Sequence, residues 1–254
     1  MKLDVILTPT LVKEDTLKGC LCAVIDVLRA TSTIITALAN GAPEVLPCIT
    51  VEEAKKGAAS LPKGSRLLGG EEMGQSIPGF DLGNSPLEYL TTEVVSGKVI
   101  LFSTTNGTVA IRRAYAGCGC PVYIAALLNL SAASSAMVRT AACGQHTGIV
   151  ILCSGRYGKP SAEDLFCAGL MVERIGRGLR ESGIVPQLGD GASIAAGFAA
   201  ANKGRSLEVL ATSEHGRFLE SLGFTDDLVF ASRIDFYDAV PIFDGDRVVL
   251  LPQE

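Results

Sequence analysis

Acidic, amide and hydroxyl residues follow the ends of several apolar runs in this chain. Asp26 follows the run 21–25, and Glu71 comes shortly after the run 66–68. Carboxylates are hard oxygen ligands of the kind that Mg²⁺ prefers. The segment 104–108, Thr-Thr-Asn-Gly-Thr, follows another apolar run. It offers hydroxyls, an amide and backbone N–H groups at a helix start, which suits a phosphate or a sulfonate. The sequence therefore favours metal-assisted chemistry on an oxyanion.

The segment that begins at Asp26 has the composition of an anion site. Arg29 comes three residues later, and Thr31 and Ser32 open a predicted helix. Asp26 could hold a metal, and Arg29 could bind an anion through two parallel hydrogen bonds. The alternative is that Asp26 caps the turn while Arg29 forms a structural ion pair. Leu28 stands where haloacid-dehalogenase phosphatases carry a second acid, so we set that likeness aside.

A second group of candidates surrounds the segment 79–86, Gly-Phe-Asp-Leu-Gly-Asn-Ser-Pro. Consecutive strand residues point to opposite faces, so we favour Glu71 over the acid that follows it. Asn84 or Ser85 suits a helix N-cap before the proline, which explains both without a ligand. Capping does not explain two glycines around Asp81, so Asp81 stays a candidate metal ligand.

A third polar turn begins at Ser154, directly after the apolar run 149–153. Asp164 lies in the first turn of the next predicted helix, where an acid also stabilises the helix dipole. Both interpretations, metal ligand or base and helix-dipole partner, are kept for Asp164. His146 and His215 lie in ordinary polar segments, and the patterns of histidine and cysteine phosphatases are missing. Walker A and dinucleotide fingerprints are missing as well.

Composition restricts the class of protein. Of the 254 residues, 48% are hydrophobic and 19% charged, which indicates a globular chain with a sizeable core. A net charge of −5 without a basic cluster argues against nucleic acid, and no apolar run is long enough for a membrane span. Most of the eight cysteines lie in apolar runs, so we expect free thiols. Because the N-terminus carries an acid, Asp4, among its first residues, we expect no signal peptide. We therefore expect a cytoplasmic protein.

The order of elements predicts the fold class. Strands are predicted at 3–8, 21–26, 44–49, 66–70, 99–103, 122–125 and 148–153. Helices are predicted at 32–40, 51–60, 86–96, 108–114, 131–143 and 163–181. This alternation predicts a layered α/β sandwich with a largely parallel or mixed sheet. Ligands bind beyond the carboxyl ends of such strands, which assigns the turns after residues 25, 68, 102 and 152 to one site.

The C-terminal third has a different pattern. It predicts helices at 192–203 and 206–222 and a hairpin over 241–252 around an Asp-Gly-Asp turn. With no linker and no repeat, we expect one domain over 1–254. A smaller C-terminal lobe over 185–254, made of helices and the hairpin, is the alternative.

Taken together, these segments resemble the ComB family, the Mg²⁺-dependent 2-phosphosulfolactate phosphatases. The matching segments, in family order between about residues 20 and 170, are 25–33, 70–71, 79–86, 105–108, 128–129 and 163–169. The resemblance implies a layered α/β/α fold and hydrolysis of 2-phosphosulfolactate to sulfolactate and inorganic phosphate, as in a coenzyme M-type pathway. Glu72 departs from the family, many of whose members carry Arg there. If that Arg binds the sulfonate, a related phosphorylated hydroxy acid becomes the alternative substrate.

The resulting hypothesis assigns roles by residue. The candidate catalytic residues are Asp26, Arg29, Glu71 and Asp164. The candidate Mg²⁺ ligands are Asp26, Glu71, Asp81 and Asp164. The candidate substrate-binding residues are Thr31, Ser32, Asn84, Ser85, Thr105, Asn106, Gly107, Thr108, Asn129 and Ser154. The expected partner is a small anion with a phosphate and a sulfonate, and a homo-oligomer is left open.

Two other classes of function are kept as alternatives. One is a non-catalytic module that binds anions on the same scaffold. The other is a metal-dependent lyase that acts on a phosphorylated hydroxy acid. Whether an aspartyl-phosphate forms on Asp26 or water attacks directly is also left open.

Overall fold

Strands and helices alternate along most of the chain in the computed structural model, which describes residues 1–13, 15–144 and 146–252. The strands are β1 (Lys2–Ile6), β2 (Cys20–Ile25), β3 (Val45–Cys48), β4 (Arg66–Glu72), β5 (Gln75–Ser76), β6 (Val99–Ser103), β7 (Val122–Ala125), β8 (Gly148–Cys153), β9 (Gln187–Leu188), β10 (Pro241–Phe243) and β11 (Val248–Leu250). The helices are α1 (Ala30–Ala39), α2 (Val51–Ala59), α3 (Thr92–Val95), α4 (Gly107–Cys118), α5 (Leu130–Cys143), α6 (Ala162–Glu181), α7 (Asp190–Ala201), α8 (Ser206–Thr212), α9 (Glu214–Ser221) and α10 (Thr225–Ala231). The predicted α/β class is confirmed.

Two predicted helices differ from the structure for local reasons. The segment 86–96 forms a 3₁₀ turn, Pro86–Tyr89, and the single turn α3, because Thr91 is extended between them. The segment 206–222 forms α8 and α9, because Ser213 is extended and its hydroxyl accepts the Gly216 N–H at 2.8 Å. Serine and threonine favour such N-cap positions over helix interiors. Helix α10 was not predicted.

The sheet consists of two parallel parts joined by the C-terminal hairpin, with the short strand β5 antiparallel to β4 at one edge. Its strand order is β5-β4-β6-β3-β11-β10-β7-β2-β8-β1-β9. One part pairs β4, β6 and β3 in parallel, and the other pairs β7, β2, β8, β1 and β9 in parallel. The hairpin β10–β11 pairs antiparallel with itself, with β3 and with β7. The predicted hairpin therefore lies in the middle of the sheet.

Three successive antiparallel pairings reverse the strand direction between the two parts. The turns after β2 and β8 lie close together because these strands end at the same edge of the sheet, and the same is true of the turns after β4 and β6. A shared edge does not explain why the first pair of turns meets the second pair. The two pairs meet because α1 and α4 pack against both parts. Thr33 of α1 donates to the Asn84 backbone oxygen at 2.8 Å. The first residue of α4, Gly107, lies against Ala30.

Both faces of β2 are covered, as expected for a buried parallel strand. Leu21, Ala23 and Ile25 belong to a core cluster shared with α5, α6 and α7. Cys22 and Val24 belong to a second cluster, which also contains side chains of β6, α1 and α4. The strand that carries Asp26 at its end is thus fixed from both sides.

A smaller core cluster covers the outer face of β4 and β6. Leu68 and Leu101 pack there with Ala54 and Ala58 of α2. All eight cysteines are free, as predicted. No helix in the described part of the chain is both long and apolar enough to cross a membrane.

Candidate functional site

A narrow cleft, partly open to solvent, lies where the turns after β2, β4, β6 and β8 meet. Its lining residues are Asp26, Leu28, Arg29, Glu71, Gly74, Asn84, Thr104, Thr105, Asn106, Arg156, Tyr157, His215 and Phe218. All four predicted turns contribute to it. Helix α9 adds a wall that the sequence did not predict.

Asp26 is held at the centre of these contacts. The Ala30 N–H donates to Oδ1 at 3.1 Å, and the Ser154 hydroxyl donates to Oδ2 at 2.8 Å. Gly107 lets α4 approach, because a Cβ there would lie 2.8 Å from Oδ2. Burial raises the pKa of Asp26 and the Glu71 carboxylate adds to the rise, although the Ser154 hydrogen bond opposes it.

Glu71 is fixed by the turn after β6. The Thr105 N–H donates to Oε1 at 2.8 Å, and the Thr105 hydroxyl donates to Oε2 at 3.2 Å. The Gly74 N–H also donates to Oε2, at 2.5 Å. The pairing of β4 with β6 positions both groups, with Gly70 opposite Ser103. Glu72, the next residue, is exposed and lies outside the lining.

Asp164 supports the cleft from behind. Its Oδ1 accepts the Val27 N–H at 2.9 Å and its Oδ2 accepts the Gly155 N–H at 3.0 Å. Burial raises its pKa well above the ordinary value, with Asp26 and Glu163 adding to the rise. Asp164 is therefore placed to join the turns after β2 and β8, and it does not line the cleft.

Thr31 and Ser32 also bind the backbone of the turn after β2. The Thr31 hydroxyl donates to the Asp26 carbonyl at 2.8 Å, and the Ser32 hydroxyl donates to the Val27 carbonyl at 2.8 Å. Both side chains are fully buried. They hold the turn in shape and are not part of the lining.

Arg29 lines the cleft, but its guanidinium also contacts a carboxylate inside the protein. Its Nη1 lies 2.8 Å from Oδ2 of Asp227, and its Nη2 donates to the Gly74 carbonyl at 3.3 Å. Its guanidinium also lies over the Phe224 ring, 4.2 Å from the centroid. The Ser85 hydroxyl donates to the other oxygen of Asp227 at 2.5 Å. The ion pair of Arg29 with Asp227 is the structural ion pair that the sequence analysis kept as an alternative.

Two further predicted residues are not brought to the cleft. Asp81 is exposed, and its Oδ2 accepts the Leu68 N–H at 2.8 Å. Asn129 is fully buried, where its Oδ1 accepts the Ala126 N–H and its Nδ2 donates to the carbonyls of Ile124 and Ala239. Each side chain stabilises a local turn, and neither the predicted metal ligand Asp81 nor the predicted substrate ligand Asn129 lines the cleft.

The turn after β6 forms the opposite wall. Thr105 and Asn106 line the cleft, and Asn106 Oδ1 accepts the Tyr157 N–H at 3.0 Å. Thr104 and Thr108 exchange side-chain and backbone hydrogen bonds, so Thr108 fixes the turn from within. Gly107 begins α4, whose N-terminus therefore faces the Asp26 carboxylate.

His215 and Arg156 are the basic lining residues that sequence reasoning missed. His215 Nδ1 lies 3.3 Å from Oε1 of Glu163, a carboxylate that is 1% exposed. Arg156 lies over the Phe218 ring at 4.2 Å from its centroid. No local spacing connects α9 with the turn after β8. Arg156 lies in the polar turn that begins at Ser154, and its position in that turn is the sequence signal that indicates it.

Hard oxygen donors face one another across this cleft. Asp26 and Glu71 line it, and so does Asn84, whose Oδ1 is buried without a hydrogen-bond partner. Within the described ranges, no group of three or more His, Cys, Asp and Glu side chains is arranged to hold a metal ion. A Mg²⁺ site commonly uses only one or two carboxylates, with waters and substrate oxygens completing the set. The donors therefore fit Mg²⁺ better than a zinc centre.

Comparison with known proteins identifies the family. Residues 6–246 match the model of the family described as 2-phosphosulpholactate phosphatase. Three relatives, each named "probable 2-phosphosulfolactate phosphatase", come from Symbiobacterium thermophilum, Pseudothermotoga lettingae and Clostridium botulinum. The first is 43% identical over 92% of this chain and 96% of its own length. The relative from Pseudothermotoga lettingae is 39% identical over 90% of this chain and 91% of its own length. The relative from Clostridium botulinum is 34% identical over 99% of this chain and 100% of its own length.

These matches span almost the whole chain, including the segments that carry Arg156, His215 and Asp227. They agree with the resemblance found between about residues 20 and 170 and extend it to the C-terminal part. The chain belongs to the 2-phosphosulpholactate phosphatase family, a family of phosphoric monoester hydrolases.

Proposed function

We propose that this chain hydrolyses the phosphate monoester of 2-phosphosulfolactate to sulfolactate and inorganic phosphate. One observation carries the proposal: Asp26 and Glu71, from separate parts of the sheet, face one cleft beside the Thr105–Asn106 turn. Phosphoryl transfer requires mainly alignment and neutralisation of charge on the transferred group, which such an arrangement can supply. A coenzyme M-type pathway and a cytoplasmic location belong to the same proposal.

We propose Mg²⁺ as the cofactor, held by Asp26 and Glu71 with the help of Asn84. Three features support this choice: two buried carboxylates, the unpartnered Asn84 amide oxygen and the raised pKa of Asp26. When bound, Mg²⁺ supplies positive charge to phosphate oxygens. That charge would also offset the repulsion between the two carboxylates.

The chain's own groups would orient the phosphate. The N-terminus of α4 at Gly107 offers backbone N–H groups, and Thr105 and Asn106 offer polar side chains from the same turn. Asp26 would face the phosphorus and act either as the nucleophile or as the base that orients water. Ser154 and Ala30 fix the Asp26 carboxylate for this role through their hydrogen bonds.

We propose His215 as the proton donor to the leaving oxygen. It lines the cleft, and the buried Glu163 lies against its Nδ1, which leaves Nε2 as the ring nitrogen available to a substrate. As the bond from phosphorus to the ester oxygen breaks, that oxygen takes the Nε2 proton and leaves as the alcohol of sulfolactate. Donation of this kind typically contributes a factor of about 10²–10⁴.

Phosphorus and carbon NMR of a reaction with 2-phosphosulfolactate and Mg²⁺ tests the proposal. We expect inorganic phosphate and sulfolactate in equal amounts. A carbon–carbon cleavage product would favour the lyase, and binding of the substrate without turnover would favour the non-catalytic module. A rapid-quench search for a phosphorylated Asp26 distinguishes a covalent route from direct attack by water.

A further inference from the structure

Two arginines line the cleft, and their electrostatic surroundings differ. Arg29 is 3% exposed and lies 2.8 Å from the buried carboxylate of Asp227, so its charge is already compensated inside the protein. The contact of Arg156 with a carboxylate is longer, 3.5 Å from Nη1 to Oε1 of Glu214, and Glu214 is 81% exposed. Water screens such a surface pair, so the charge of Arg156 remains largely available to a ligand.

The guanidinium of Arg156 is held in a defined orientation. It lies 4.2 Å from the centroid of the Phe218 ring and 4.9 Å from that of Tyr157. Aromatic faces hold a guanidinium plane and leave its edge free for hydrogen bonds. The side chain is 15% exposed, so the ring contacts also remove much of it from water.

The backbone around Arg156 is equally fixed. Its N–H donates to the Lys159 carbonyl at 2.8 Å, and the Lys159 N–H donates back at 3.0 Å. The Tyr157 N–H donates to Asn106 Oδ1 on the opposite wall. Arg156 is therefore a preorganised cation, and preorganisation lowers the entropic cost of binding.

We infer that Arg156 binds a second anionic group of the substrate, a carboxylate or sulfonate close to the phosphoester oxygen. This inference rests on the proposed function, and it explains how the cleft would select phosphate monoesters that carry a second anionic group. Besides Arg29, whose charge Asp227 compensates, the other acidic and basic side chains that line this space are the carboxylates of Asp26 and Glu71 and the imidazole of His215. A second anion would therefore be repelled near Asp26 and attracted near Arg156. Glu72 is exposed and lies outside the cleft lining.

Steady-state kinetics of Arg156→Met with four phosphate monoesters test the inference. Phospholactate carries a carboxylate, phosphoisethionate carries a sulfonate, 2-phosphosulfolactate carries both and glycerol 2-phosphate carries neither. We expect kcat/KM to fall about 10- to 100-fold for the substrate whose anion Arg156 binds and for 2-phosphosulfolactate, with little change for glycerol 2-phosphate. A fall for phospholactate would identify the carboxylate as the group that Arg156 binds, and a fall for phosphoisethionate would identify the sulfonate. An equal fall for all four substrates would overturn the inference.

Lys159→Met is the matched control, because it removes an exposed cation of the same loop that does not line the cleft. Calorimetric titration with sulfolactate separates this inference from the proposed function, since it requires no turnover. Binding that weakens about tenfold or more in Arg156→Met, but not in Lys159→Met, supports the inference even if no phosphate is released. Equal binding by all three proteins, or no binding to the wild type, contradicts it.

Discussion

Arg29 and Asp227 form a buried ion pair with 2.8 Å between Nη1 and Oδ2, although 198 residues separate them in sequence. The pair connects the turn after β2 with α10. Because Ser85 donates to the second oxygen of Asp227, the segment after β4 is connected to it too. Three separate stretches of the chain thus meet behind one wall of the cleft. The motif residue Arg29 therefore helps to build this wall.

Removal of the Asp227 charge should destabilise the protein strongly. Asp227→Asn leaves the guanidinium of Arg29 buried without a countercharge, which typically lowers the free energy of unfolding by about 3–5 kcal/mol. Urea unfolding measures this change. Glu173→Gln, which breaks an exposed pair with Arg177, should stay within about 0.5 kcal/mol of the wild type. A similar result for both variants would show that the buried pair does not hold the wall.

Asp26→Asn should stabilise the fold in a pH-dependent way. Burial raises the folded-state pKa of Asp26 above the unfolded value of about 3.9, so the native state binds an extra proton between the two values. Wild-type stability from this group is therefore lost as the pH rises through that window. Asn carries no charge, so the stability advantage of Asp26→Asn should be absent below about pH 4 and should grow as the pH rises through the raised pKa of Asp26.

Thermal unfolding in the presence of a chelator measures this difference without a contribution from divalent cations. Asn can still accept the Ala30 N–H and contact the Ser154 hydroxyl, so the local hydrogen bonds survive. A variant that is less stable than the wild type at neutral pH would contradict the expectation.

Glu71→Gln should weaken the use of Mg²⁺. The substitution removes an anionic donor and places an NH₂ group against the N–H donors of Thr105 and Gly74. We expect about a tenfold or larger increase in the Mg²⁺ concentration for half-maximal activity, and about a 100-fold fall in kcat. Glu72→Gln, at the exposed neighbouring position, should behave as the wild type. Equal effects of the two variants would exclude a specific role for Glu71.

Gly107→Ala should impair catalysis because α4 would have to retreat. The added Cβ would meet Ala30 and come within 2.8 Å of the Asp26 carboxylate. A small displacement of catalytic groups can lower the rate about 100-fold, which phosphate-release kinetics would detect. Gly197→Ala in α7 is the control, since its Cβ would meet nothing within 4 Å. That variant should keep full activity and gain about 0.5–1 kcal/mol of stability.

His215→Asn should make the enzyme depend on the leaving group. An alkoxide needs a proton as it leaves, whereas nitrophenolate does not. We expect kcat/KM to fall about 100-fold or more with alkyl phosphates and by only a few fold with p-nitrophenyl phosphate. His146→Asn, outside the cleft lining, serves as the control. A parallel fall for both classes of substrate would assign His215 to structure or binding.

Local sequence signals predicted the elements that carry the site, because strand periodicity and caps act over a few residues. The strands 99–103, 122–125 and 148–153 match β6, β7 and β8 to the residue. The hairpin over 241–252 was also predicted, but its insertion between β3 and β7 was not. That insertion depends on pairing between segments distant in sequence, for which local pattern gives no register.

The same limit applies to the cleft. Asp26, Glu71, Thr105 and Asn106 were predicted because each stands at a strand end within its own motif. Arg29 was assigned to a ligand because its partner lies in a helix that the sequence did not reveal. His215 was set aside because only the folded chain brings α9 against the start of α6.

The most direct test of the account is phosphate release from 2-phosphosulfolactate by the wild type and by Asp26→Asn, with Mg²⁺ and with excess chelator. The wild type should release phosphate with Mg²⁺ and lose that activity with chelator. Asp26→Asn, shown by circular dichroism to be folded, should release phosphate at least about 100-fold more slowly than the wild type in the presence of Mg²⁺. Wild-type rates in the Asp26→Asn protein would contradict a reaction centred on Asp26 in this cleft.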